Sequence, residues 1–184
     1  MFKSNYFKIF MKLNKVDFGR NLNLFGLPVI FKKSGSVLKI GDNCTIKSSF
    51  LSNLIGLSQR VIIVTRTKEA KIEIGNNVGI SGATIYSRKG ISIGDNTLIG
   101  GNVKILDNDF HPIEVEARNG DDKDMIRSRE IVIGKNCFIG CNSIILKGSK
   151  IGDGSVIGAG SVVSGEFPNG VIIGGNPAKV IKAI

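Results

Sequence analysis

The chain of 184 residues carries 24 Gly, one His and no Trp, and its formal charge is 25 − 15 = +10. Gly is about 13% of the residues against roughly 7% in an average protein; yet 42% are hydrophobic and no G-x-y period runs through them, which excludes a collagen-like or disordered polymer. One His excludes a zinc site built from several imidazoles of one chain, and Cys44, Cys137 and Cys141 form no C-x-x-C pair, so no metal is expected.

Residues 1–35 read as an N-terminal cap segment. Lys3, Lys8, Lys12, Lys15, Arg20, Lys32 and Lys33 stand there against Asp17 alone within the first 33 residues. Phe2, Tyr6, Phe10 and Leu13 recur near helical spacing, which predicts a helix laid over an open end of the fold, where bare strand edges would otherwise pair with other chains. Lys interrupts the apolar residues every few positions, so the segment is neither a signal peptide nor a span of roughly 20 apolar residues. With three unpaired-looking cysteines, a cytoplasmic protein is expected. The basic excess is either a solubilising surface or an attraction to phosphate-bearing small molecules, an acidic polysaccharide or an anionic membrane surface. Aromatic residues are only 7% and no reader motif is present, so nucleic acid is not an expected partner.

From residue 36 onward a six-residue grammar takes over. IGDNCT opens at Ile40, IGNNVG at Ile74, ISGATI at Ile80, IGDNTL at Ile93 and IGGNVK at Ile99. The step 74 − 40 = 34 is two short of a multiple of six, so the register slips within 51–73, where Val61–Thr67 still reads as a strand. The step 93 − 80 = 13 implies one inserted residue near Arg88-Lys89-Gly90. Farther on, Ile133, Ile139, Ile145, Ile151, Ile157 and Val163 keep register without a break. Small residues follow the first five at the fourth offset: Cys137, Ser143, Ser149, Ser155 and Ser161. Such a period fits no α-helix, whose apolar face recurs at three and four. It fits a parallel β-helix, three short strands to a triangular coil, with coils stacked about 4.8 Å apart. Aliphatic residues would point inward, and Gly-Asp-Asn and Gly-Asn-Asn would supply turns, since these residues tolerate positive φ.

The array stops after Ile105 and resumes at Ile131, leaving a loop, 107–130, whose residues 111–130 have no period. Structureless stretches beyond about 12–15 residues are uncommon in compact domains and are often functional. The one His stands at its entrance. Asp107, Asp109 and His111 are spaced by two, so an extended strand would aim all three to one side.

Two segments are specific: Asp107-Asn108-Asp109-Phe110-His111-Pro112-Ile113 and the ending Ile173-Gly174-Gly175-Asn176-Pro177-Ala178-Lys179-Val180-Ile181. They resemble the hexapeptide-repeat acyltransferases, nearest to the maltose/galactoside and polysaccharide O-acetyltransferases. The resemblance covers residues 36–184 and implies an all-β fold, a left-handed parallel β-helix with a protruding loop. It also implies acetyl-CoA as acyl donor, a sugar hydroxyl in a surface polysaccharide or its precursor as acceptor, and homotrimers with active sites between neighbouring prisms. His111 would be the general base, because a hydroxyl is a poor nucleophile until its proton is removed. Asp109 is the candidate to orient the imidazole, with Asp107, Asp122 and Asp124 as competitors. Phe138 stands where relatives often carry Trp. Cys141, Ala159 and Ser164 match positions along the pantetheine arm, and Lys179 and Lys182 match basic positions near the CoA phosphates. The Asn that relatives carry one coil before the His is absent, since Ile80-Ser81-Gly82 stands there. Alternatives are N-acetylation of an amino sugar or nucleotide-linked sugar, and a β-helix scaffold without catalysis.

Overall fold

Isoleucines stack on isoleucines through the middle coils of the molecule. The computed structural model describes residues 2–184; Met1 and the side chains of Phe2 and Lys3 lie outside the described residues. The chain winds as a left-handed β-helix of three parallel faces. The first face has seven strands, from Asp17–Phe18 to Glu166–Phe167; the third has six, from Val29–Lys32 to Val162–Val163. The second face has eight, from Asn23–Phe25 to Val171–Gly175, and closes with Ala178–Ala183, which pairs antiparallel.

Register follows the aliphatic positions read from the sequence. On the first face Ile40, Ile74, Ile93, Ile133 and Ile151 pair in succession. Ile46, Ile80, Ile99, Ile139, Ile157 and Ile173 do so on the second, and Ile63, Ile85, Ile105, Ile145 and Val163 on the third. All of them are buried, in one continuous core. The small fourth-offset residues line the inner corners and give their polar hydrogens to carbonyls of the next coil. Ser143 Oγ donates to Gly158 O at 3.0 Å, Ser149 Oγ to Val163 O at 3.1 Å and Ser155 Oγ to Pro168 O at 3.0 Å, so their burial leaves no hydroxyl unsatisfied.

The first corner, between the first and second faces, divides the work of its Gly-Asp-Asn turns. Positive φ falls on the Asn: Asn43 at 59°, Asn77 at 57°, Asn96 at 58° and Asn136 at 55°. Gly94 has no such φ; a Cβ there would stand 2.6 Å from Gly134 C in the coil below. The Gly is required by close stacking and the Asn by the turn. The middle residues link coils as well: Asn76 Oδ1 accepts from Asp42 N, Asp95 Oδ1 from Asn76 N and Asp153 Oδ1 from Lys135 N, each at 2.8 Å.

Three expectations are corrected. The cap of residues 1–35 divides: Asp17–Phe18, Asn23–Phe25 and Val29–Lys32 already form a full coil, paired in parallel with the next. Only the helix α1, Phe2–Leu13, precedes the coils. Helix α1 does cover the first coil, but Phe7 and Met11 face the core while Tyr6, Phe10 and Leu13 are exposed. The slip near residue 88 is also a sum of two changes. Ile80 to Ile85 spans 85 − 80 = 5, one short, and Ile85 to Ile93 spans 93 − 85 = 8, two over.

Candidate functional site

The third corner, between the third and first faces, carries the long loop, and Asp107 builds its root. This carboxylate is fully buried and accepts from Ser87 Oγ at 2.7 Å and from the amides of Arg88, Lys89 and Gly90, each at 2.8 Å. Asn108 Nδ2 adds a fifth bond at 3.1 Å. The loop then leaves and returns beside itself: Asn108 bridges Ser128, Asp109 N donates to Arg127 O at 3.1 Å, and Arg129 N to Asp107 O at 2.9 Å. Within it lie the short helix α2, Val115–Asn119, and a 3-10 turn, Lys123–Met125.

Strand geometry ends at Phe110, which takes φ 63° and sets its ring 4.8 Å from that of Tyr86. Asp107, Asp109 and His111 therefore do not share one side. Asp107 is buried under the 87–90 turn, and His111 is exposed, its amide donating to Asp109 O at 2.7 Å. Asp109 lies between them. Its Oδ1 is paired with Lys147, and its Oδ2 is buried without a hydrogen-bond partner among the described residues. Asp122 caps the 3-10 turn by accepting from Asp124 N at 3.1 Å, and both are exposed. The sequence offered no sign of Lys147, or of the Glu114–Arg127 ion pair that ties the two arms of the loop together. Hydrogen bonds from the Glu114 amide and from Arg127 hold the Glu114 carboxyl below its ordinary value. Under the loop lies an open cleft of about 690 Å³ lined by Arg127, Ser128, Arg129, Leu146, Lys147 and Ser164.

The second corner, between the second and third faces, is built differently. Gly100, Gly140 and Gly158 hold the same turn position in successive coils; a Cβ at Gly140 would stand 2.5 Å from Ala159 N. The next position carries Gly101, Cys141, Ala159 and Gly175. On the first corner that position bears Asp42, Asn76, Asp95 and Asp153, whose side-chain oxygens accept from the amide of the adjacent coil, with Arg20 and Lys135 as the exceptions. Here no such side chain exists, and among the described residues the amides of Gly101, Cys141 and Ala159 are not engaged. The result is a ridge of small residues on which the N–H groups of Cys141 and Ala159 are accessible, while Gly101 is buried at its end. At its far end, Lys179 pairs across from Gly174 on the closing strand, with Lys182 farther along opposite Ile172; both lysines are exposed.

Phe138 projects from the second face, half exposed, at one side of a groove of about 360 Å³ that also touches Thr45, Lys47, Asn53, Ser81 and Leu98. Cys141 and Ala159 thus share a ridge, Phe138 stands on the adjoining face, and Ser164 lies in the cleft below the loop. His111 is not brought to the ridge within one chain. The strands of the third face separate the two corners; from Asn102 to Asp107 is five residues, about 16 Å at ~3.3 Å each. Among the described residues no group of three or more His, Cys, Asp and Glu is placed to hold a metal. No helix there is long and apolar enough to cross a membrane.

Comparison with known proteins agrees with this geometry. A family model of the bacterial transferase hexapeptide (six repeats) matches residues 130–165, and one of the hexapeptide repeat of succinyl-transferase matches 90–116. A galactoside acetyltransferase solved in complex with coenzyme A is 30% identical over 91% of this chain and 66% of its own, with a TM-score of 0.56. The chain is thus similar to hexapeptide-repeat acyltransferases in its repeats and in its fold. It spans just under two thirds of that galactoside enzyme's length. A mutant of AntD, an N-acyltransferase from Bacillus cereus solved with dTDP-4-amino-4,6-dideoxyglucose and coenzyme A, shares the fold at 22% identity. Its TM-score is 0.69, over 94% of this chain and 87% of that one. A hexapeptide-repeat acetyltransferase from Vibrio cholerae, VCA0836, shares it too, at 22% identity and a TM-score of 0.56 over 91% and 73%. A search of the curated proteins found no match.

The three thiols differ as the corners do. Cys44 and Cys137 are buried, and burial pushes both thiols above their ordinary value, which leaves little thiolate to react. Cys141 is partly exposed on the ridge. Titration of the folded protein with Ellman's reagent is expected to consume one thiol quickly, and the other two only on unfolding. Substitution of Cys141 by Ser should abolish the fast phase.

Proposed function

We propose that the chain is an acetyl-CoA-dependent O-acetyltransferase acting on a sugar hydroxyl, in a surface polysaccharide or its precursor. The observation that carries this reading is the ridge of the second corner. A pantetheine arm has amide carbonyls that can accept from backbone N–H groups, and only small side chains let it lie close enough. Cys141 and Ala159 lie along that track, Lys179 and Lys182 stand toward its far end to meet phosphates, and Ser164 adds a hydroxyl near the loop. The groove beside Phe138 supports a sugar acceptor, since an aromatic ring with Thr45, Asn53 and Ser81 offers both a flat apolar surface and hydrogen-bonding groups.

Direct transfer needs His111 within hydrogen-bond reach of the acceptor hydroxyl. The imidazole takes that proton as the oxygen attacks the thioester carbonyl. The tetrahedral oxyanion is met by free ridge amides, and its collapse expels CoA thiolate, which recovers the proton from the imidazolium. Asp109 Oδ2, buried and unpartnered, supports a role as acceptor for the second imidazole N–H, with Lys147 holding the carboxylate in place. About 16 Å between corners of one chain supports a site in which a neighbouring copy supplies the ridge to each His111, and we infer a homotrimer in the cytoplasm. Helix α1, with Tyr6, Phe10 and Leu13 exposed among Lys8, Lys12 and Lys15, supports a peripheral contact with an anionic membrane.

Thiol release from acetyl-CoA, measured with neutral glycans, acidic glycans and amino sugars, tests the reading. Acceptor-dependent release with a hydroxyl acceptor is expected; release only with amino sugars would replace it by N-acetylation. Shared sites predict complementation as well. Chains carrying His111→Ala and chains carrying Ala159→Trp, each inactive alone, should regain turnover when unfolded and refolded together. A mixture as inactive as its parents would overturn the shared site.

A further inference from the structure

Residues 49–60 form an excursion that returns along the second corner, and the ridge ends against it. Leu57 is buried over that corner, its Cδ2 3.1 Å from where a Cβ on Gly82 would stand and 3.4 Å from that on Gly101. Ile55 Cγ2 lies 3.0 Å from the same Gly101 position. Asn102, on the corner itself, clamps the segment from both sides of its amide. Its Oδ1 accepts from Ser58 N at 2.9 Å and Ser58 Oγ at 3.0 Å, while its Nδ2 donates to Gly56 O at 3.1 Å. Gln59 extends the anchorage to the third face, donating to Thr84 Oγ1 at 2.7 Å and accepting from Lys104. The segment is therefore held over Gly101, one coil beyond Cys141, and its outermost apolar side chains are exposed there.

We propose that Ile55 is the end wall of the acyl subsite and restricts the donor to acetyl-CoA. This rests on the reading that CoA follows the ridge with its phosphates toward Lys179 and its thioester toward Cys141. With the thioester at the level of Cys141, one coil spacing, about 4.8 Å, remains before the wall. That length accommodates a methyl group, whereas a butyryl chain meets Ile55. The contact is apolar on both sides, so discrimination comes from lost space and not from an unpaired polar group. Each surplus methylene in such a pocket changes selectivity by about 10–200-fold. Ile55 is 59% exposed, so its truncation leaves the core intact.

Calorimetric titration of the protein with acetyl-CoA, butyryl-CoA and free CoA reads this without any acceptor. The wild type is expected to bind butyryl-CoA at least about 10-fold more weakly than acetyl-CoA, and Ile55→Ala to close that gap with free-CoA affinity unchanged. Equal affinity for both thioesters in the wild type, or a gap that persists in Ile55→Ala, would overturn the wall while leaving the CoA track standing. A wild type that binds none of the three overturns the wall together with the track.

Discussion

Replacement of His111 by Ala is expected to lower acetyl transfer by about 10²–10⁴-fold without changing the fold. The first part follows from general-base catalysis, whose removal costs that much when no other group can take the proton. No second imidazole exists in the chain to do so. The second part follows from position: His111 is exposed and its ring makes no hydrogen bond among the described residues, so stability should change by no more than about 0.5 kcal/mol. Steady-state thiol release and a urea titration on the same samples separate the two. Asp109→Asn should cost less, because it removes the orienting charge and not the base. Turnover undiminished in His111→Ala would remove the base assignment.

Asp107→Ala has the largest expected effect on stability, although Asp107 lies two residues from Asp109 and four from His111 in the sequence. Its carboxylate accepts from the amides of Arg88, Lys89 and Gly90, and from Ser87 Oγ and Asn108 Nδ2. Alanine would leave these donors at a buried corner, at about 1–3 kcal/mol each where water cannot replace the oxygen. A loss of about 3 kcal/mol or more is expected, read as a lower urea midpoint with an unchanged slope. Because the same turn roots the His111 loop, the variant should also lose activity. An unchanged midpoint would mean that water takes the place of the carboxylate. Asp109→Ala, by contrast, should move the midpoint little, since its one ion pair with Lys147 is partly exposed to solvent.

The contrast between those two carboxylates marks the limit of the sequence. Alternate spacing alone put Asp107, Asp109 and His111 on one side, which holds only while the chain stays extended. Phe110, at positive φ, ends the strand between Asp109 and His111. Helix α1 shows the same kind of limit. Its apolar residues were visible, but which stripe turned inward depended on how the helix lies on the first coil, and Phe7 and Met11 were chosen over Tyr6, Phe10 and Leu13. The first coil is not legible in the period because Phe18, although followed by Gly19, is aromatic where later coils carry Ile, and Leu24 and Ile30 have no Gly after them.

Periodicity by itself determined the fold class, the inward residues and the place of the long loop. A six-residue repeat is a local property, and each isoleucine meets its own kind in the next coil wherever that coil lies. Tertiary structure alone decided which corner each candidate residue occupies. Corner membership depends on the running sum of every insertion and deletion upstream, such as the changes around Ile85 that add and remove residues in one coil. It also decided what each glycine is for, since a collision with the coil below is invisible along the chain. His111 and Cys141 therefore fall on opposite edges of one face, and the proposed transfer would join them only across two copies of the chain.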